Sequence, residues 1–107
     1  MKNLENKIAI ITGGGSGIGK ATALKFAEQG AHVMIWDISD DRGKEVAQQI
    51  TNNGGKAEFF HVDTTHKSHI ESAAQSIFNT YGHIDILINN AGITKDATLL
   101  KMTDEQW

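Results

Sequence analysis

Residues 8–19 read IAIITGGGSGIG: four apolar residues, Ile8, Ala9, Ile10 and Ile11, then five glycines within residues 12–19. A continuous apolar run of this length has the pattern of a parallel strand buried on both faces. From about Gly17 the periodicity turns helical. Glycine at a helix start gives up backbone entropy, so this junction calls for a reason. A helix N-terminus carries unpaired N–H groups and the positive end of the macrodipole. A pyrophosphate can settle there only where no Cβ blocks its approach. Gly13, Gly17 and Gly19 then have separate tasks: a tight turn, close approach of phosphate, and close packing of helix on strand. The alternative is a merely flexible strand–helix turn, for which one or two glycines suffice.

Working outward, strand-like and helix-like segments alternate. The first helix spans about 17–29, with Ile18, Ala21 and Leu24 three apart, Ala23, Phe26 and Ala27 widening the stripe, and Gly30 as its stop. A second strand covers 33–36. A second helix covers 40–52, with Gly43, Val46, Ala47 and Ile50 on one face. The third strand covers 57–62. The next helix has the clearest stripe, Ile70, Ala73, Ala74, Ile77, Phe78 and Tyr81, with Ser68 and Glu71 spaced as a capping box and Gly82 as its stop. A fourth strand covers 84–88, and residues 103–106, TDEQ, have the form of another capping box. Strands alternating with helices predict βαβ units, a parallel sheet and right-handed crossovers. Ligands then gather beyond the carboxyl ends of the strands. Those ends carry Thr12-Gly13, Asp37, Asp63 and Asn89-Asn90-Ala91-Gly92.

Composition fits one ordinary globular domain of 107 residues, 39% hydrophobic and 21% charged. A net charge of −3 argues against nucleic acid as the main partner. The absence of cysteine excludes disulfides, thiolate nucleophiles and Cys-ligated zinc within this sequence. No apolar run approaches the roughly 20 residues of a membrane helix, and the first residues lack a signal-peptide pattern. The expected setting is cytoplasmic, by default.

Two phosphate-binding patterns compete at residues 13–20. Gly14 to Gly19 followed by Lys20 supplies nearly all of G-x-x-x-x-G-K-[ST], but Ala21 stands where the magnesium-holding hydroxyl belongs, and Thr22 is one position late. The pattern that is met is T-G-x-x-x-G-x-G. Asp37, 18 residues after Gly19, ends the second strand. A carboxylate there accepts both hydroxyls of an adenosine ribose and repels a 2′-phosphate, which favours NAD over NADP. The alternative for Asp37 is a helix N-cap.

These pieces, Thr12-Gly-x-x-x-Gly-x-Gly19, Asp37, Asp63 and Asn89-Asn-Ala-Gly92, taken in order, resemble the short-chain dehydrogenases/reductases across essentially the whole chain. Residues 89–107, NNAGITKDATLLKMTDEQW, are most similar to the branch of 3-oxoacyl-(acyl-carrier-protein) and acetoacetyl-CoA reductases. The resemblance implies a Rossmann-type parallel sheet with helices on both faces, in a βαβαβαβ arrangement. It implies that residues 1–107 are an NAD(P)-binding domain. Gly13, Ser16, Gly17, Ile18 and Gly19 would line the pyrophosphate. Asp37 would bind the adenosine ribose with Ile38 beside the adenine. Asp63 would accept from the adenine amino group next to Thr64, and Asn90, Ala91 and Gly92 would border the ribose. Thr12 would tie its loop to the Asn-Asn-Ala-Gly segment. A cap or loop carboxylate is the alternative for Asp63, and a plain turn for Asn89-Asn90.

The implied chemistry is hydride transfer between a nicotinamide and a carbonyl or alcohol, with an acyl thioester as the implied substrate. The family's catalytic Ser and Tyr-x-x-x-Lys fall beyond residue 107, so no catalytic residue is assigned here and the segment is expected to be inactive alone. Its members usually take NADPH in this branch, against which Asp37 argues. Self-association into a homo-oligomer is expected through an apolar fourth strand at the sheet edge. A free-standing nucleotide-binding module without catalysis is the reading from another class.

Other candidates carry less. Tyr81 has Asp85, not lysine, four residues on, and completes the apolar stripe of its helix. Lys95 and Lys101 have no tyrosine four residues before them. His66 and His69 lack a third ligand for a metal. His32, His61 and His83 read as packing or solvated residues at element edges, and Trp36 as a buried strand residue.

Overall fold

The apolar runs and helical stripes fold into alternating strands and helices. The computed structural model describes residues 3–90. The elements are β1 (Ile8–Thr12), α1 (Gly17–Glu28), β2 (His32–Asp37), α2 (Asp40–Asn52), β3 (Lys56–His61), α3 (Lys67–Tyr81) and β4 (Ile86–Asn89). Ala91, Gly92, Lys95, Lys101 and the capping box at 103–106 lie outside the described residues.

All strand pairs are parallel, in the order β3-β2-β1-β4. Every residue of β1 is buried, as its unbroken apolar run requires of a central parallel strand. Alternate residues of the sheet feed two cores. Ala9, Ile11, Val33 and Ile35 pack with Ala23 of α1 and with Val46 and Ile50 of α2. Ile8, Ile10, Met34 and Trp36 pack with Ile70, Ala73, Ala74 and Ile77 of α3. Helices therefore cover both faces, as expected. Trp36 is buried, and its Nε1 has no hydrogen-bond partner among the described residues. A buried donor left unpaired costs about 1–3 kcal/mol.

Three local expectations are corrected. The buried face of α1 is Gly19 and Ala23, flanked by Leu24, Phe26 and Ala27, whereas Ile18 stands 77% exposed. The helix lies so close to the sheet that the small residues define its inner face. The capping box of Ser68 and Glu71 does not form: α3 starts at Lys67 behind His66, which makes no side-chain cap. The fourth strand begins at Ile86 rather than 84, because Asp85 turns its carboxylate back to the Ile8 N–H at 2.8 Å while its own N–H donates to Ile8 O at 2.9 Å. Among the described residues no helix is long and apolar enough to cross a membrane.

Candidate functional site

Topology fixes the location. The chain leaves β1 for β2 on one side, while α3 carries it across to β4 on the other. The loops after β1 and β4 thus diverge over the carboxyl edge of the sheet, and a crevice opens where the strand order reverses.

The glycine loop after β1 divides its labour much as the spacing predicts. Gly13 has φ 65° and donates its N–H to Trp36 O at 2.7 Å, which makes the tight turn. A Cβ on Gly19 would lie 1.9 Å from the carbonyl oxygen of Gly13, so only glycine lets α1 approach the loop this closely. Gly17 has φ 56°, and a Cβ there would meet nothing within 4 Å. The start of α1 is therefore bare and faces open space. Ser16 is the N-cap residue and its hydroxyl makes no capping bond; no acid lies in the first turn. In contrast, Asp40 and Asp41 occupy the first turn of α2. The positive pole of α1 is left for an external anion. Thr22 turns its hydroxyl to Ile18 O at 2.8 Å.

Asp37 closes β2 with its carboxylate split between two backbone donors. Oδ2 accepts from the Gly15 N–H at 2.8 Å and Oδ1 from the Ser39 N–H at 2.9 Å. Ser39, not Asp37, caps α2 by accepting from the Arg42 N–H, which removes the N-cap alternative. Each carboxylate oxygen has a second lone pair, so Asp37 can still receive two hydroxyl donors. Ile38 is 61% exposed, and with Ile18 it is one of the two exposed large apolar residues among those described. Ile38 directly follows β2, and Ile18 lies in the first turn of α1.

Thr12 ties the two sides of the crevice. Its buried hydroxyl donates to Asn89 Oδ1 at 2.8 Å and accepts from the Asn90 N–H at 2.8 Å. The segment after β4 is thereby fastened to β1, as expected, and Asn89-Asn90 is more than a plain turn.

Asp63 follows β3 and engages its own loop. Its Oδ1 accepts from the Thr65 N–H at 2.9 Å and from the Thr65 hydroxyl at 2.6 Å. These bonds hold its carboxyl below the usual range. Oδ2 faces His66 Nε2 at 3.6 Å, and Thr64 is buried beside it. The loop-carboxylate alternative is what these contacts display.

Three features escaped the sequence reading. Gly15 is needed for closeness, since a Cβ there would meet Asp37 Oδ2 at 2.7 Å. His69 accepts the Asp63 N–H on Nδ1 at 3.2 Å. The edge histidines each have a carboxylate neighbour: His32 with Glu58, His61 with Asp40, and His83 with Asp85. These pairings span separate elements or turns, and no local pattern announces them.

Tyr81 is held as a structural group. Tyr81 packs on the α3 core, as expected, and donates to Glu58 beside His32. Burial first, then Glu58, push its phenol up to about 12, the wrong direction for a proton donor at neutral pH. Among the described residues no three His, Asp or Glu side chains could hold a metal. The bare helix start, the paired carboxylate and the two exposed isoleucines fit a dinucleotide.

Comparison with known proteins agrees. The family model described as short chain dehydrogenase matches residues 7–107. The chain is 44% identical over 105 residues to the 3-oxoacyl-(acyl-carrier-protein) reductase FabG of Chlamydia muridarum, covering 97% of this chain and 42% of that protein. A hydroxysteroid dehydrogenase from Escherichia coli superposes with a TM-score of 0.80 at 41% identity, over 84% of this chain and 38% of that one. A metagenomic short-chain oxidoreductase in complex with NADP gives a TM-score of 0.80 at 33% identity, over 84% of this chain and 41% of that one. The chain thus spans about two fifths of the length of the relatives it matches.

Proposed function

The chain belongs to the short-chain dehydrogenase family, and on that premise we propose that residues 1–107 form the NAD-binding part of an oxidoreductase acting on a 3-oxoacyl thioester. Gly13, Ser16, Gly17, Ile18 and Gly19 receive the pyrophosphate at the pole of α1. Asp37 receives the adenosine ribose, with Ile38 against the adenine. Asp63 offers Oδ2 to the adenine amino group beside Thr64. Asn90 borders the second ribose with Ala91 and Gly92, which lie outside the described residues. When bound, the nicotinamide supplies the hydride exchanged with a carbonyl or alcohol carbon. This chain's residues hold and orient that carrier; the proton-transferring groups are not among those described. A cytoplasmic location and self-association belong to the same reading.

The observation supporting this reading best is the bond between Asp37 Oδ2 and the Gly15 N–H. It sets a negative charge against the loop that receives phosphate. A 2′-phosphate about 4 Å from it would meet repulsion of ~1 to ~4 kcal/mol, depending on solvent screening. Calorimetric titration of the chain with NADH and NADPH tests the proposal. Binding of NADH at least about tenfold tighter, a difference of about 1.4 kcal/mol, is expected. Equal affinities would remove the preference for NAD, and heat from neither cofactor would end the reading. An acetoacetyl thioester is expected to cause no NADH oxidation by this chain; turnover would refute the assignment of catalysis to other residues.

A further inference from the structure

We infer that His69 is a positioning residue: its neutral imidazole holds the main chain at Asp63 and makes the adenine end of the site sensitive to pH. This rests on the cofactor reading above. The Asp63 N–H donates to His69 Nδ1 at 3.2 Å. A ring nitrogen accepts only when it carries no proton, so this contact selects the tautomer protonated on Nε2. Asp63 is then held twice, its carboxylate by Thr65 and its backbone by His69.

The charged neighbours sharpen the point. His61 of β3 lies 6.1 Å from the His69 ring centre, with Asp40 of α2 bonded behind it at 2.7 Å. His66 lies 5.0 Å away and faces Asp63 Oδ2. Both of these imidazoles have a carboxylate partner, so protonation strengthens their contacts. His69 also lies within the field of the Asp63 carboxylate, but the group bonded to it is the Asp63 N–H, and protonation would turn that acceptor into a second donor. Of the three, only the contact of His69 breaks in acid. The Asp63 main chain would lose its His69 contact, while its carboxylate keeps Thr65 and draws His66 closer.

The experiment measures NADH binding by calorimetry from about pH 5.5 to 8.5, the span over which imidazoles change charge. It compares the unmodified chain with His69→Asn and His69→Ala, and follows the Asp63 amide by NMR in each. The asparagine Oδ1 stands near the place of Nδ1 and accepts at every pH. The unmodified chain is expected to bind about three- to tenfold more weakly at the acid end, the worth of one backbone hydrogen bond. His69→Ala is expected to bind weakly throughout, and His69→Asn to restore the affinity and flatten that part of the profile. The Asp63 amide shift should titrate in the unmodified chain and not in His69→Asn. Identical pH profiles for the unmodified chain and His69→Asn, or an Asp63 amide indifferent to pH, would overturn the role of His69 alone. Failure of every form to bind NADH at any pH would overturn the cofactor reading, and this inference with it.

Discussion

The Asp37 carboxylate and the Gly15 N–H are 2.8 Å apart, so the acid that ends β2 and the loop that follows β1 act as one unit. Gly15 does not tolerate a side chain, because a Cβ there would displace the carboxylate it binds.

Asp37→Asn is therefore expected to weaken NADH binding by about tenfold or more, since hydrogen bonds to a charged acceptor are worth about 1.5–3 kcal/mol. NADPH binding should change little or improve. The amide oxygen retains one of the two backbone bonds and the other is lost, so stability should fall by about 1–3 kcal/mol. Calorimetry with both cofactors and a melting curve separate the two effects. An unchanged NADH-to-NADPH ratio would count against the selecting role of Asp37.

Gly19 and Gly17 should respond differently to alanine. At Gly19 the new methyl would lie 1.9 Å from the Gly13 carbonyl oxygen, and backbone has to move. A loss of about 3 kcal/mol or more in urea unfolding is expected. At Gly17 the space is open and only the positive φ is penalised, by about 1–2 kcal/mol. The folded Gly17→Ala chain should nonetheless lose affinity for NADH, because the methyl stands over the helix pole.

The acid limb of the stability curve should report on Asp85. Burial opposes its ionisation, but the Ile8 N–H, His83 and Lys7 outweigh this and hold its carboxyl below the usual range. A depressed folded value means the contribution is complete above the unfolded value of about 3.9. It is lost as pH falls through the folded value. Asp85→Asn should destabilise the chain by about 1 kcal/mol at neutral pH and make the loss below about pH 4 shallower. Parallel acid unfolding curves for the two proteins would contradict this.

Tyr81 should behave as a structural phenol. Its phenolate absorbance is expected to appear only near pH 12, since burial and Glu58 push the phenol up to about 12. Tyr81→Phe should leave NADH binding unchanged at neutral pH. A phenolate signal below about pH 10, the ordinary value for tyrosine, would disprove the environment described.

The fold was legible where sequence and burial share a period. The apolar run of β1, the stripe of α3 and the glycine stops needed no tertiary information. The tight turn at Gly13 and the close approach at Gly19 were legible because glycine is expensive unless its conformation or its small size is used. Ile18 was misread because helical periodicity counts apolar residues, whereas close approach to the sheet selects Gly19 and Ala23 for the inner face. The start of α3 was misread because its cap position is held by His66, without the side-chain bond that Ser68 and Glu71 suggested. The pairing of His69 with Asp63 leaves no trace in composition, since one backbone bond does not require a particular side chain.

The fastening of Thr12 to Asn90 joins residues 78 positions apart. A polypeptide growing from the ribosome can assemble β1, α1 and β2 early, while the far wall of the crevice waits for the last described strand. Until then the hydroxyl of Thr12 has neither Asn89 nor Asn90 to hold. The two carboxyl-edge loops are therefore joined only once nearly all of the described chain has been made.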